Sequence, residues 1–213
     1  MSAFESILEL TSFRTPEDKV IPRDVMGKIL EAGRNTPSPG NVQTLEFIAV
    51  EDDEKLEELS HTLGDHRIAE SPVTVILVTD EERMRRKVGS DSESFCMAEA
   101  ATSIQNMRIV AQEEGISSIW RTGFDVKTVS DQFGMPGDKG AIAAVSFAYT
   151  EDPVHSEPRF GMNQVTYYDE YGNQISSFFD GAAWRGLEKE KKIYGKKLSG
   201  FFSKIRGKIK EVL

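Results

Sequence analysis

Apolar positions along the chain recur at two spacings, one typical of helices and the other of buried strands. Pro22 suits the first position of a helix, and Val25 and Ile29 follow it at helical spacing. The longest helical pattern lies near residue 100 and is rich in small side chains that permit close packing. Helices are predicted at 22–34, 52–63, 94–114 and 125–133.

Between these helices lie short apolar runs without helical spacing, which indicate buried strands. The segment 35–41 is rich in Pro, Ser, Gly and Asn and predicts a loop ahead of the first strand. A further strand is predicted within 165–175, with a bend at Tyr171-Gly172-Asn173. The alternation of helices and strands favours an α/β or α+β class. Strands are also predicted at 45–51, 72–80, 116–120 and 141–150.

Composition narrows the class of protein. A chain of 213 residues with 38% hydrophobic and 29% charged residues suits one globular domain with a tail, or two small domains. The net charge of −9 argues against nucleic-acid partners, which need a basic surface. One cysteine, no signal-peptide pattern and no apolar run long enough to span a membrane predict a cytoplasmic location.

The charge is unevenly distributed along the chain. Residues 184–213 carry ten basic and three acidic side chains, a net charge of +7, which leaves −16 on the remainder. This segment predicts a basic amphipathic helix that contacts either an anionic membrane surface or, as the preferred alternative, the acidic body of a partner subunit. Its apolar positions are Leu198, Phe201, Phe202, Ile205, Ile209 and Val212.

Several common catalytic arrangements find no support. The chain has no glycine-rich dinucleotide fingerprint, no phosphate-binding P-loop and no nucleophile elbow. His61 and His66 are five residues apart, on different sides of a helix, so no metal site is predicted. Cys96 lies in an apolar helical stretch, which favours a small buried side chain over a reactive thiol.

Other segments suit a phosphorylated planar ligand. Ser12 and Arg14 combine a hydroxyl with a guanidinium, an arrangement that can bind an anion. Gly40 permits close approach of a ligand to the backbone, Asn41 offers a donor and an acceptor, and Gly123 can present a bare N–H. Each segment also has an ordinary interpretation, as a surface arginine or a Pro/Gly turn, so only their combination points to a ligand.

In order along the chain, these segments resemble the FMN-dependent nitroreductase superfamily over roughly residues 7–160. The resemblance rests on Ser-Phe-Arg at 12–14 and Pro-Ser-Pro-Gly-Asn-Val-Gln at 37–43. Gly-Ile-Ser-Ser-Ile-Trp at 115–120, after the long helix, and Met-Pro-Gly-Asp at 135–138 complete it.

The resemblance implies an α+β, nitroreductase-like fold with a mixed, mainly antiparallel central sheet, flanking helices and a long central helix. It also implies a homodimer with two FMN sites at the subunit interface and an extended C-terminal arm. The corresponding domain division is 1–160 for FMN binding and 161–213 for the arm and basic helix.

The same resemblance assigns cofactor contacts but no catalytic side chain, since the flavin carries the chemistry. Ser12, Arg14 and Arg159 would bind the phosphate and ribityl chain, and Thr122 and Gly123 would lie near flavin N5. The loop before the first strand would line the ring. Its contributors are Ser38, Pro39, Gly40, Asn41 and Gln43.

The chain departs from the family pattern at positions where basic residues are usual. Leu10 and Thr11 stand at the start of the first element, and Glu157 stands two residues before Arg159. Thr44-Leu45-Glu46 replaces the aromatic position after Gln43. These departures predict either weaker FMN binding or compensation by other basic residues.

The sequence therefore predicts an FMN enzyme that uses NAD(P)H to reduce a small oxidised substrate by ping-pong hydride transfer. Nitroaromatics, quinones, flavins and enones remain open as acceptors, and NADH, NADPH or a deazaflavin as electron source. Two alternatives stay open, a non-catalytic flavin-binding sensor and a flavoprotein that associates with a membrane surface through its C-terminal helix.

Overall fold

A computed structural model describes residues 2–167 and 169–173, which contain seven α-helices and six strands. Short 3-10 turns occupy Pro39–Asn41, His66–Ile68 and Gly89–Asp91. The helices are α1 (Ala3–Glu9), α2 (Arg23–Arg34), α3 (Asp53–Leu63), α4 (Glu81–Val88), α5 (Ser92–Glu113), α6 (Val126–Gln132) and α7 (Met162–Val165). The strands are β1 (Thr11–Phe13), β2 (Leu45–Val50), β3 (Val73–Thr79), β4 (Ser117–Arg121), β5 (Gly140–Ala148) and β6 (Pro153–His155).

The main sheet has the strand order β2-β3-β5-β4, and every neighbouring pair in it is antiparallel. β1 and β6 form a separate antiparallel pair, in which Ser12 lies opposite Val154. All seven residues of β3 are buried, as its continuous apolar run predicts. β2 and β4 are therefore the outer strands of the main sheet.

Two hydrophobic cores cover the two faces of this sheet. Successive strand residues point to opposite faces, so Val75 and Leu77 belong to one core and Ile76 to the other. The first core includes Ile29 of α2 and Met107 of α5. The second joins the sheet to α3, α6 and β1. Its members include Phe13, Leu56, Leu59, Ile119 and Val129.

Side-chain caps explain where several helices begin and end. The Asp52 carboxylate accepts the backbone N–H of Lys55 at 3.0 Å and starts α3. Gly64 takes the left-handed conformation (φ 66°) that ends the same helix.

The four helices and four strands predicted up to residue 150 are all present, with boundaries shifted by at most two residues.

The predicted strand within 165–175 differs from the structure. Val165 ends α7, and no strand occurs in the described part of that segment. The Gln164 side chain accepts the backbone N–H of Gly161 at 2.8 Å, which favours a helical turn there. The predicted bend is confirmed, since Gly172 has a positive φ of 90°.

The chain divides into two compact units between Ser156 and Glu157. Of the second unit, the structure describes α7 and the turn near Gly172, where the Tyr167 and Tyr171 ring centroids are 4.5 Å apart. The predicted basic helix at 184–213 lies outside the described residues. Over the part of the chain that is described, no helix has the length and apolar character needed to cross a membrane.

Candidate functional site

A cleft of about 500 Å³ lies where the end of β1 meets the end of β4. Arg14 directly follows β1, and Arg121 is the last residue of β4. We call this site the arginine cleft. It is lined by Arg14, Gly64, Asp65, His66, Arg67 and Arg121.

The Asp65 carboxylate organises the cleft. Its side chain is 3% exposed and accepts Nε and Nη2 of Arg67 at 2.8 and 2.7 Å, and Nε of Arg121 at 2.7 Å. Burial raises the pKa of Asp65, but the hydrogen bonds from Arg67 and Arg121 outweigh it and lower the pKa to about 2. Asp65 therefore stays ionised at neutral pH and fixes both guanidinium groups.

The arginine cleft has the charge and the free donors to bind a phosphate. Three guanidinium groups and one carboxylate leave a net charge of +2. Arg14 is exposed and makes no hydrogen bond or ion pair with any residue that the structure describes. The Arg121 side chain is 40% exposed, and its Nη1 donates to no described residue. These donors suit the phosphate of a flavin nucleotide.

A second cavity, of about 410 Å³, adjoins the chain just after β4. Gly123 lines it with a positive φ of 77°, and no atom of a described residue lies within 4 Å of where its Cβ would be. No hydrogen bond from the Gly123 N–H to a described residue is found. An aromatic ring edge could therefore approach this backbone closely. Apolar lining comes from Met97, Phe124, Val126 and Ile142.

The loop 38–43 has an unusual backbone. Gly40, Asn41 and Gln43 all have positive φ, at 57°, 57° and 52°. Such conformations are costly for residues with a Cβ and concentrate at functional sites. Ser38 Oγ accepts the backbone N–H of Gln43, and Gln43 Nε2 donates to Asn41 Oδ1, both at 3.0 Å. The loop is thus shaped internally and leaves Asn41 exposed.

Two neighbours hold the end of this loop. Arg83 of α4 donates to the Gln43 carbonyl at 3.0 Å. Glu99 of α5, only 3% exposed, accepts the backbone N–H of Thr44 at 3.2 Å and its hydroxyl at 2.8 Å. Glu99 lies within the largely apolar sequence of α5, and no feature of that sequence marks it as a contact of the loop.

Within the first unit, the predicted contacts form separate groups. Arg14 lies in the arginine cleft, and half-buried Ser12 lies nearby in β1. Thr122 lies between Arg121 and Gly123 in the chain. The loop 38–43 precedes β2, and β2 and β4 are the two outer strands. Three strand spacings of roughly 4.8 Å separate them, about 14 Å in all. Arg159 is exposed in the second unit.

Asp65, Arg67 and Arg121 were not identified from the sequence. Arg121 lies 56 residues from its partner Asp65, so only the packing of β4 against the 66–68 turn reveals the pair. A signal was available in Gly-Asp-His-Arg at 64–67, where a capping aspartate precedes two basic residues.

Cys96 is 1% exposed, as predicted, and burial raises the pKa of its thiol.

The sequence profile of the Nitroreductase family matches residues 11–65 and 57–149. A protein of Archaeoglobus fulgidus, assigned the name NADH dehydrogenase/NAD(P)H nitroreductase, is 24% identical over 161 residues, which are 72% of this chain and 90% of its own.

Solved structures share the fold. A protein from Bacteroides thetaiotaomicron that is assigned the name NADH dehydrogenase/NAD(P)H nitroreductase superposes with a TM-score of 0.70 at 20% identity, over 79% of this chain and 98% of its own. An FMN-dependent nitroreductase from Clostridium difficile gives 0.69 at 19% identity, over 79% and 99%. The predicted fold class is confirmed, and the profile match over most of the first unit shows that this chain belongs to the Nitroreductase family.

Proposed function

We propose that this protein is an FMN-dependent oxidoreductase that uses NAD(P)H to reduce a small oxidised molecule, such as a nitroaromatic compound or a quinone. One observation carries the proposal: a cleft of net charge +2 adjoins a backbone segment in which the Gly123 N–H donates to no described residue. The names of the relatives support it, since they include NAD(P)H nitroreductases and an FMN-dependent nitroreductase.

The residues present fit a flavin mononucleotide. Arg14, with the Ser12 hydroxyl beside it in β1, would bind the phosphate, and the Gly123 N–H would donate to a ring nitrogen. When bound, the flavin supplies hydride transfer between the nicotinamide and the acceptor. The chain itself binds and orients the cofactor and needs no general acid or base.

We further propose a homodimer in which the loop 38–43 of one subunit completes the site of the other. The separation of this loop from the arginine cleft, across the width of the main sheet, supports this arrangement. The positive φ of Asn41 and Gln43 also supports a ligand-binding role for the loop, because strained backbone of this kind concentrates at functional sites.

The test begins with the purified full-length chain. The cofactor-free protein is titrated with FMN, and NADH and NADPH oxidation is then followed with a quinone and a nitroarene as acceptors. Saturable FMN binding and turnover well above that of free FMN are expected. Failure to bind FMN contradicts the proposal. Tight binding without turnover supports a flavin-binding sensor instead.

A further inference from the structure

We propose that Arg67 and Arg121, both held by Asp65, bind the cofactor phosphate together with Arg14. The inference rests on the proposed function and deepens it, because it assigns the phosphate subsite to residues outside the Ser-Phe-Arg element.

The hydrogen-bond geometry leaves donors free on both arginines. The Asp65 carboxylate accepts hydrogen bonds from Nε and Nη2 of Arg67, and Nη2 of Arg121 lies 2.5 Å from the same carboxylate. Nη1 of Arg67 donates to the Phe13 carbonyl at 2.9 Å. Each guanidinium carries further N–H groups beyond these. Because Arg67 and Arg121 line the same cleft as Arg14, the free donors of all three side chains are available to one ligand.

The charge of the cleft matches a phosphate. A phosphate monoester carries about −1.5 to −2 charges at pH 7. Three arginines alone would repel one another, but the buried Asp65 offsets one charge and leaves +2. Asp65 also orders Arg67 and Arg121 before a ligand arrives, which reduces the entropy that binding must overcome. Asp65 is therefore a positioning residue.

The sequence departs from the family pattern at positions where basic residues are expected. Leu10 and Glu157 stand where the family resemblance implies basic residues, so the chain lacks the usual sources of positive charge there. Arg67 and Arg121 supply replacements from a different part of the first unit. Arg67 links the 66–68 turn to β1 through the Phe13 carbonyl, whereas the Arg121 side chain is 40% exposed at the cleft and its Nη1 donates to no described residue.

The deciding experiment compares FMN with riboflavin, which has the same ring and ribityl chain but no phosphate. Affinity for each is measured by fluorescence quenching for wild type, Arg121→Gln, Arg67→Gln and the control Arg34→Gln. Arg34 is an exposed arginine of α2, a helix that packs on the other sheet face. Each cleft variant should weaken FMN binding by about 10- to 100-fold, the effect of losing a charge-assisted hydrogen bond. Riboflavin affinity should change less than about twofold, and the control should change neither.

A second measurement addresses the folding of Arg67→Gln. Thermal unfolding is recorded for each variant, and Arg121→Gln decides the question if Arg67→Gln does not fold.

Inorganic phosphate should compete with FMN but not with riboflavin, and this competition should weaken in Arg121→Gln.

The outcomes separate the inference from the proposed function. A wild-type protein that binds neither flavin overturns both. A wild-type preference for FMN that Arg121→Gln leaves unchanged, or an equal loss of FMN and riboflavin binding, overturns the phosphate assignment alone. In that case the flavin proposal stands and Arg14 acts without these two arginines.

Discussion

Thr44 donates both its backbone N–H and its hydroxyl to the buried carboxylate of Glu99, at 3.2 and 2.8 Å. The Thr79 hydroxyl donates in turn to the Thr44 hydroxyl at 3.2 Å. This chain of bonds joins α5, β3 and the start of β2 at the residue that follows the loop 38–43. The long central helix thus fixes the position from which the loop departs.

Replacement of Glu99 should destabilise the fold. Glu99→Ala leaves two buried Thr44 donors without an acceptor, and we expect a loss of about 2–4 kcal/mol in the free energy of unfolding. Urea denaturation measures this loss. Glu99→Gln, which retains an acceptor oxygen, should lose less, and Glu58→Ala on the exposed surface of α3 should lose under about 0.5 kcal/mol. Equal losses for Glu99→Ala and Glu58→Ala would contradict the role of Glu99.

Two glycines of α2 should respond oppositely to alanine. A Cβ at Gly33 would lie 2.8 Å from Met107 Cγ, so Gly33→Ala forces α2 away from α5 and should cost about 1–3 kcal/mol. No described residue comes within 4 Å of the Cβ position of Gly27, so Gly27→Ala should stabilise by about 0.5–1 kcal/mol through helix propensity alone. The difference in melting temperature between the variants measures the effect, and a stabilising Gly33→Ala would show that the helices can separate without cost.

Asp65 should make stability depend on pH in acid. Its folded-state pKa, about 2, lies below its ordinary value of 3.8, so its contribution is complete above pH 3.8 and is lost as the pH falls through about 2. We expect wild type to lose its stability advantage over Asp65→Asn across this window, measured by urea unfolding at successive pH values. The exposed Asp53→Asn serves as the control. An advantage that persists unchanged at pH 2 would be inconsistent with the ion pairs.

The proposed interface predicts complementation between subunits. Arg14→Gln and Asn41→Ala are each expected to impair both sites of their own homodimer. A heterodimer of the two variants, isolated with two different affinity tags, should contain one intact site and recover about half of the wild-type activity. A site built within one subunit would leave the heterodimer as impaired as either homodimer.

Periodicity revealed the elements with a clear apolar face and missed those without one. The helix α4 (Glu-Glu-Arg-Met-Arg-Arg-Lys-Val) buries only Met84, so no apolar stripe marks it. Ion pairs between successive turns stabilise it instead, among them Glu81 with Arg85 at 2.5 Å and Glu82 with Arg86 at 3.4 Å. The strand β1 is too short, at three residues, for an alternating pattern to stand out.

The candidate site was predictable where it follows local sequence and hidden where it depends on packing. The Ser-Phe-Arg element and the loop 38–43 could be recognised because their residues are adjacent in the chain. The Asp65–Arg121 pair forms only when β4 packs beside the 66–68 turn. The left-handed conformations of Asn41 and Gln43 are likewise set by bonds within the folded loop.

Lys87 of α4 lies in the space that a Cβ of residue 40 would occupy. Arg83, one turn earlier on the same helix, bonds the far end of the loop at the Gln43 carbonyl. Loop and helix are therefore joined by a hydrogen bond at Gln43 and by close packing at Gly40. A side chain at residue 40 would have to displace Lys87 and adopt a left-handed φ of 57°, so space and backbone conformation both favour glycine there.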